Sequence, residues 1–570
     1  MPGRKQEEGV VTPAQKVLAT NGQIADLARK GLPVAICIFT IALVAGFLTA
    51  RDYGISIDEF NANDYGPKAL AWYTSGFHDK SSFETVEAPL WYYGPWFQIL
   101  VAYVQSFSFT DPLTVRYALT FACGLLGLAA LIPLSCWTFG YWAGTAALVL
   151  CLSTGYLYGS LFFTPIDVPF LAAMSWATAA IVAMARSVVP AWLPTVFAGI
   201  FSGLAIATRT GGIITHAYLA IAIILCATDA YLTAGKLARR DLAAIALRSF
   251  VVVGIAWPLA IALWPWLQTG NPFTHFRIAF AHFAKIPVSF EFPHWGEDVR
   301  SDALPWTYIP GQLLARLPIP FLLLLGSAVA LAAKDTVSFV MLGRPRTRYG
   351  DGLGWGSLLL RFARARSVLI VWAGALTPIV LLIAEHATLY DSVRHILFVI
   401  PMLALLAGGA LVRLASTLSR PQAAAALTVA AAYVAGTVIT FNQLHPLEYV
   451  AMNAIVGGAQ GAYGKFDLDY WSIAGTEALR RLEHKVDMAS PGLFQRNSPS
   501  IVVCIPNREH MARVIVRRPW KLEVDPTKPD FVIETERSRC AKPDYILIDE
   551  VRRADRAFAW IWQKKSFHGG

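Results

Sequence analysis

Charge is scarce in this 570-residue chain, where 15% of residues are Asp, Glu, Lys or Arg and 55% are hydrophobic. That balance excludes a disordered chain, which needs high charge and little apolar surface. It also excludes a string of ordinary soluble domains, in which about a quarter of residues are charged. Cysteine is equally sparse, 7 in all, so a disulfide-dense scaffold is excluded. The sequence has no Walker-type phosphate loop, no Gly-x-Gly-x-x-Gly after a strand, no Cys-x-x-Cys and no His-Glu-x-x-His. Nucleotide-binding, dithiol and zinc-protease chemistries therefore have no motif to rest on. Internal repeats are absent, and the Ala-rich run Ala423–Ala435 is ordinary for a membrane helix.

What is abundant is uninterrupted apolar sequence, with a mean hydropathy of +0.48. The chain reads as a mainly α, polytopic membrane protein. After a mixed-charge tail over 1–31, spanning-length stretches lie at 32–50, 114–137, 141–160, 168–187, 191–209, 211–231, 249–268, 307–333, 367–385, 392–413 and 421–440, about eleven helices. Basic residues favour the cytoplasmic side. With the N-terminus inside, that side receives 232–248 (Lys236, Arg239, Arg240, Arg248), 334–366 (Lys334, Arg344, Arg346, Arg348, Arg361, Arg364, Arg366), Arg413 and Arg420. The outer side receives a large acidic loop, 51–113, in which Asp52, Asp58, Glu59, Asp64, Asp79, Glu84, Glu87 and Asp111 face only Arg51, Lys68 and Lys80. The net charge of +10 follows from these basic loops, and no nucleic-acid partner is indicated. Counting Pro89–Phe107 as a span would turn the Arg-rich loops outward, so it is expected to lie along the outer interface as an aromatic-rich helix. From about 441 charge returns and short β-rich runs appear at Ser500–Ile505 and Asp544–Ile548, the pattern of a small extracytoplasmic α/β domain over 441–570. Its cysteines, Cys504 and Cys540, could pair in an oxidising compartment or remain two buried thiols.

Polar residues collect at the expected outer ends of several spans. Asp58-Glu59 follows the first, with Asn61, Asn63, Asp64 and Tyr65 behind. Adjacent carboxylates repel, so one can serve as a base while the other orients it or ligates a cation; an exposed acidic pair can equally be plain solvated surface. Pro165-Ile166-Asp167-Val168-Pro169 precedes the fourth stretch, and Asp167 either caps that helix or is held by a rigid turn. In Tyr390-Asp391-Ser392-Val393-Arg394-His395, Arg394 and His395 border an apolar stretch. A guanidinium fork there suits phosphate oxygens, the alternative being an arginine snorkelling to head groups. Arg209 ends another stretch on the same side. The outer histidines His275, His282 and His294 are too irregularly spaced to suggest a metal site.

These elements resemble the polytopic C-superfamily (GT-C) glycosyltransferases, in particular bacterial relatives of dolichyl-phosphate-mannose protein mannosyltransferases (family 39-like). The resemblance is carried by Asp58-Glu59, Pro165–Pro169, Leu304-Pro305-Trp306-Thr307-Tyr308, Tyr390–His395, His445-Pro446, Asn453–Gly458 and Phe466-Asp467-Leu468-Asp469-Tyr470-Trp471, spread over about 32–475. In one departure, Ile166 stands where relatives often carry Lys. The resemblance implies a multi-pass protein of a bacterial inner membrane that moves a hexosyl or pentosyl unit, with inversion, from a polyprenyl-phosphate carrier to an extracytoplasmic lipid, glycan or protein acceptor. On that reading Asp58 is the general base and Glu59 orients it, Asp167 positions sugar or acceptor, and Arg394, His395 and Arg209 hold the donor phosphate. The resemblance implies no definite cofactor, and a divalent cation stays open. A transporter or flippase of an envelope lipid or glycan precursor is the alternative; it would place charged or broken helices at mid-membrane. A membrane-anchored scaffold would not need so many spans.

Overall fold

The computed structural model describes residues 13–85, 89–234, 238–284, 286, 289–342, 365–489, 494, 498–504, 518–523, 525–540 and 543–567, without the side chains of 13–30, 232–234 and 338–342. Glu87, Lys236, Arg344, Arg346, Arg348, Arg361 and Arg364, together with residues 1–12 of the expected tail, lie outside the described residues.

Among the described residues nine helices are long and apolar enough to cross a membrane: Gly31–Asp52, Pro112–Cys136, Asp167–Met184, Thr210–Tyr231, Arg239–Leu263, Ile319–Val337, Arg366–Ala384, Arg394–Ala415 and Arg420–Leu444. The expectation of eleven exceeds this count for two local reasons. The stretch at 141–160 is broken into Tyr141–Leu152 and Gly155–Phe163, bent by 73°. The stretch at 191–209 forms only the 15-residue helix Trp192–Ile206, about 22 Å long at 1.5 Å per residue and short of a 30 Å hydrocarbon core. Hydropathy finds apolar stretches; it does not register where a helix bends or stops.

The spans differ in how they are used. Asp167–Met184 and Arg394–Ala415 are central, most of their residues being buried against other helices, whereas Arg420–Leu444 buries only its last residue, Leu444. An Ala-rich helix that exposes Leu427, Val429 and Ile439 all round is satisfied by a lipid surface rather than by protein. Pro89–Phe107 does not form a span: it holds a short turn at Leu90–Tyr92 and the 12-residue helix Trp96–Phe107.

Between Gln268 and Thr307 a short hairpin pairs β1 (Glu291–His294) with β2 (Glu297–Arg300). After Leu444 the chain crosses one end of the bundle and enters a five-stranded mixed sheet of β3 (Ser500–Cys504), β4 (Lys521–Leu522), β5 (Phe531–Thr535), β6 (Tyr545–Arg553) and β7 (Arg556–Lys564), in the order β4-β3-β5-β7-β6. β5 is central, and every one of its residues is buried, as expected of a strand covered on both faces. The helix Ala474–Ala489 covers the sheet with Leu479, Leu482 and Val486, spaced to share one helical face. Cys504 at the end of β3 is disulfide-bonded to Cys540.

Candidate active site

The C-terminal end of Gly31–Asp52 and the N-terminal ends of Asp167–Met184, Thr210–Tyr231 and Arg394–Ala415 meet at the face of the bundle that carries the sheet. There the helix Ile57–Thr74 starts in a capping box. Ser56 Oγ accepts from the Glu59 N–H at 3.1 Å, and Glu59 Oε2 accepts from the Ser56 N–H at 3.2 Å. Ser56 Oγ also donates to the Phe163 carbonyl at 3.0 Å, tying this helix start to the turn before Asp167.

The capping box separates the two adjacent carboxylates. Glu59 is buried and faces the Arg116 side, where Arg116 donates to Asn63 Oδ1 at 2.8 Å and to Gln98 Oε1. Asp58 instead lines a cavity of about 380 Å³. Its walls include Tyr65, Tyr93, Phe97 and Phe283, and its polar groups include Asn61, Gln98, His282 and Arg394. Gln98 is fixed from behind, accepting from Arg116 and donating to the Pro165 carbonyl at 2.7 Å. Gly94 allows one wall to close: a Cβ there would lie 1.7 Å from the Ala207 carbonyl oxygen, and its N–H donates to the Thr208 carbonyl at 3.2 Å.

Across 336 positions of sequence, Arg394 Nη1 donates to Asp58 Oδ2 at 2.8 Å. Both side chains are largely buried, 8% and 18% exposed. The Arg394 guanidinium lies 4.6 Å from the Tyr390 ring centre and 4.7 Å from that of Trp471, and its second nitrogen is 3.4 Å from Asp391 Oδ2. Burial pushes the Asp58 carboxyl up to about 6, with Asp167 and Asp391 adding to the rise while Arg394 and Arg209 oppose it. A carboxylate in that range is a stronger base than a solvated one and is still mostly ionised at neutral pH.

Asp391 and Ser392 both occupy the left-handed region, at φ 55° and 65°. Such residues cost on the order of 1–3 kcal/mol each and persist where neighbours over-determine them. Here Tyr156 and Tyr308 donate to the Asp391 and Ser392 carbonyls at 3.4 and 3.2 Å, and Ser392 donates to Gln312 Oε1 at 3.2 Å.

The other expected site residues are distributed unevenly. Asp167 is buried and forms an ion pair with Arg209 at 2.8 Å, with angles outside hydrogen-bond geometry, so neither Asp167 oxygen has a hydrogen-bond partner among the described residues. Arg209 lies beside Tyr93, which lines the cavity, while Ile166 lines it directly. His395 is not among the lining residues; its ring meets that of Tyr390 edge-on, 5.0 Å between centres. His275 stacks on Trp266 and His282 meets Tyr92 edge-on. Among the described residues no group of three His, Cys, Asp or Glu could hold a metal ion. The capping box holds Glu59 back on the Ser56 N–H rather than beside the Asp58 carboxylate.

Gln98 and Arg116 were not singled out from sequence, being hidden in stretches that read as apolar, and Tyr93, with Trp91, Tyr92 and Trp96, was read only as part of an aromatic belt at the interface. The Trp91–Trp96 cluster packs largely on protein: the Trp264 indole N–H donates to the Trp91 carbonyl at 2.8 Å, and Tyr92 meets Trp266.

No family model matches the sequence, and no curated protein matches it. Among solved structures, ArnT from Cupriavidus metallidurans bound to undecaprenyl phosphate is similar over 92% of this chain and 97% of that one, at 15% identity and a TM-score of 0.45. The archaeal oligosaccharyltransferase AglB from Archaeoglobus fulgidus, in complex with an inhibitory peptide and a dolichol-phosphate, is similar over 89% of this chain and 69% of that one, at 13% identity and a TM-score of 0.45. For the S. cerevisiae protein O-mannosyltransferase Pmt1-Pmt2 complex bound to the sugar donor, the shares are 44% and 34%, at 15% identity and a TM-score of 0.34.

Proposed function

We propose that the chain is a membrane glycosyltransferase that moves a sugar from a polyprenyl-phosphate carrier to an acceptor hydroxyl at the outer face of a bacterial inner membrane. The N-terminus is then cytoplasmic, 32–440 form the transferase portion and 441–570 lie outside. The observation that carries this reading is the Asp58–Arg394 pair, 2.8 Å apart on the wall of a cavity that combines aromatic surface with a few polar groups at the ends of spanning helices. One carboxylate with raised basicity and one guanidinium are the two groups that the transfer needs.

The acceptor oxygen attacks the anomeric carbon as the bond from that carbon to the phosphate oxygen breaks. The hydroxyl proton passes to the Asp58 carboxylate, and the electron pair leaves on the polyprenyl phosphate. Arg394 receives that charge as a bidentate fork, exchanging Asp58 for phosphate oxygens. The phosphate leaves as a stable anion, so no general acid is required. A single displacement inverts the anomeric centre. Asp167 with Arg209 holds the neighbouring turn beside the sugar, and the isoprenoid tail remains in hydrocarbon. His395 acts behind Tyr390 rather than on the phosphate, and Glu59 acts through the capping box that aims Asp58.

The test uses purified full-length protein with polyprenyl-phosphate-linked sugars. Asp58→Asn, which keeps shape and removes the base, is expected to lower transfer by roughly 10²–10⁴-fold while binding of undecaprenyl phosphate persists. Unchanged transfer would remove the base assignment. Mass spectrometry of envelope glycans and glycolipids from a deletion strain would identify the acceptor.

A further inference from the structure

The Asp391 carboxylate is shared between two arginines, Arg394 three residues along the chain and Arg537 146 residues away. Its Oδ2 lies 3.4 Å from Arg394 Nη2, and its Oδ1 accepts from Arg537 Nη1 at 2.8 Å. Arg537 belongs to the C-terminal sheet. It sits in the turn after β5, where Thr535 and Ser538 bond each other's backbone, and this turn leads to Cys540, which is disulfide-bonded to the end of β3. The same nitrogen donates to the Tyr470 carbonyl at 3.0 Å, Nε is 3.8 Å from Asp467, and the Phe290 ring lies 5.9 Å from the guanidinium carbon. Four buried or half-buried charges therefore alternate in a row: Arg537, Asp391, Arg394, Asp58.

We propose that Arg537 is a positioning residue for the reaction centre: by occupying one oxygen of Asp391 it limits the hold of Asp391 on Arg394 and leaves Arg394 directed at the cavity. The inference rests on the function proposed above. Without Arg537, both oxygens of Asp391 are open to the Arg394 fork, and a bidentate pair is the arrangement a guanidinium and a carboxylate prefer. Arg394 would then be drawn toward Asp391, away from Asp58 and from an incoming phosphate. The C-terminal unit thereby enters the chemistry through one side chain, although neither Arg537 nor Asp391 is among the residues lining the cavity.

The experiment measures binding of undecaprenyl phosphate to the full-length protein in detergent, with the unfolding temperature recorded for each variant. Arg537→Gln is expected to weaken binding about tenfold, Arg537→Lys, which restores one cation, to recover part of the loss, and Arg537→Gln in an Asp391→Asn background to add almost nothing beyond Asp391→Asn alone. Wild-type affinity in Arg537→Gln would overturn the proposal, as would a full additional loss in the Asp391→Asn background. If Arg537→Gln does not fold, Arg537→Lys carries the same comparison: weakened binding that disappears in the Asp391→Asn background supports the role, and unchanged binding refutes it. A wild-type protein that binds no undecaprenyl phosphate would remove the proposed function and this inference with it, whereas a binding wild type indifferent to Arg537 overturns the positioning role alone.

Discussion

Replacing Arg394 with Gln separates the two effects that set Asp58's basicity. In the intact protein burial raises the Asp58 carboxyl to about 6 against the opposing pull of a guanidinium 2.8 Å away. An opposite charge at this range lowers a carboxyl by roughly one to three pH units, so its loss should move the Asp58 titration upward by that amount. For a shift of about two units, the ionised fraction at pH 7 falls from about nine-tenths to about one-tenth, a tenfold loss of active base. Asp391 keeps Arg537 as a partner, so the variant leaves one buried carboxylate unpaired, and that group relieves the strain by taking a proton. The assay is the pH profile of kcat/KM for sugar transfer between pH 5 and 9.5. The acid limb, with a midpoint near 6 in the wild type, is expected to move alkaline by roughly one to three pH units, on top of a pH-independent loss from the missing phosphate contact. An acid limb that stays in place or moves to lower pH would refute the assignment of that limb to Asp58.

Arg209→Gln leaves Asp167 buried without its partner and should reduce stability by about 3–5 kcal/mol, much of which returns in the Asp167→Asn, Arg209→Gln double variant; equal losses in thermal unfolding of the single and double variants would count against the pair. In the C-terminal portion burial pushes Glu536 up to about 8 and Asp469 to about 7. A carboxyl that binds its proton more tightly when folded contributes stability that is complete below its unfolded value near 4.5 and is lost as pH rises through about 8. Glu536→Gln should therefore flatten the decline of stability over that window, and an unaltered slope would contradict the shift. Reducing Cys504–Cys540, which are 36 residues apart, should lower stability by about 4 kcal/mol on the loop-entropy account; labelling of both thiols without reductant would contradict the bond.

Much of the fold was legible because hydrocarbon imposes a simple demand on sequence. Each of the eleven apolar stretches contains a helix, and the basic loop rule kept Pro89–Phe107 out of the span count. The break at Ser153–Thr154 and the shortness of Trp192–Ile206 were not legible, because local packing sets them without a change in hydropathy. At the site, Arg394 was readable as a charge placed where charge is expensive, and Asp58, Asp167 and Arg209 as polar residues gathered at the ends of spanning stretches. Their pairing was not, since the Asp58–Arg394 contact joins positions 336 apart. Glu59 shows the limit of spacing alone: next to Asp58 in sequence, it faces another way because helical neighbours are rotated by about 100°. Arg537 lay in a polar stretch where an arginine is unremarkable, and only the fold brings it to Asp391.

The most direct test of the shared Asp58–Arg394 centre is an experimental structure of the full-length protein with undecaprenyl phosphate bound. The account predicts the phosphate in the cavity lined by Tyr65, Tyr93 and Phe283, within hydrogen-bond distance of Arg394 and with Asp58 released from its ion pair. A phosphate bound at the opposite end of the helices, or bound with the Asp58–Arg394 pair intact, would contradict it.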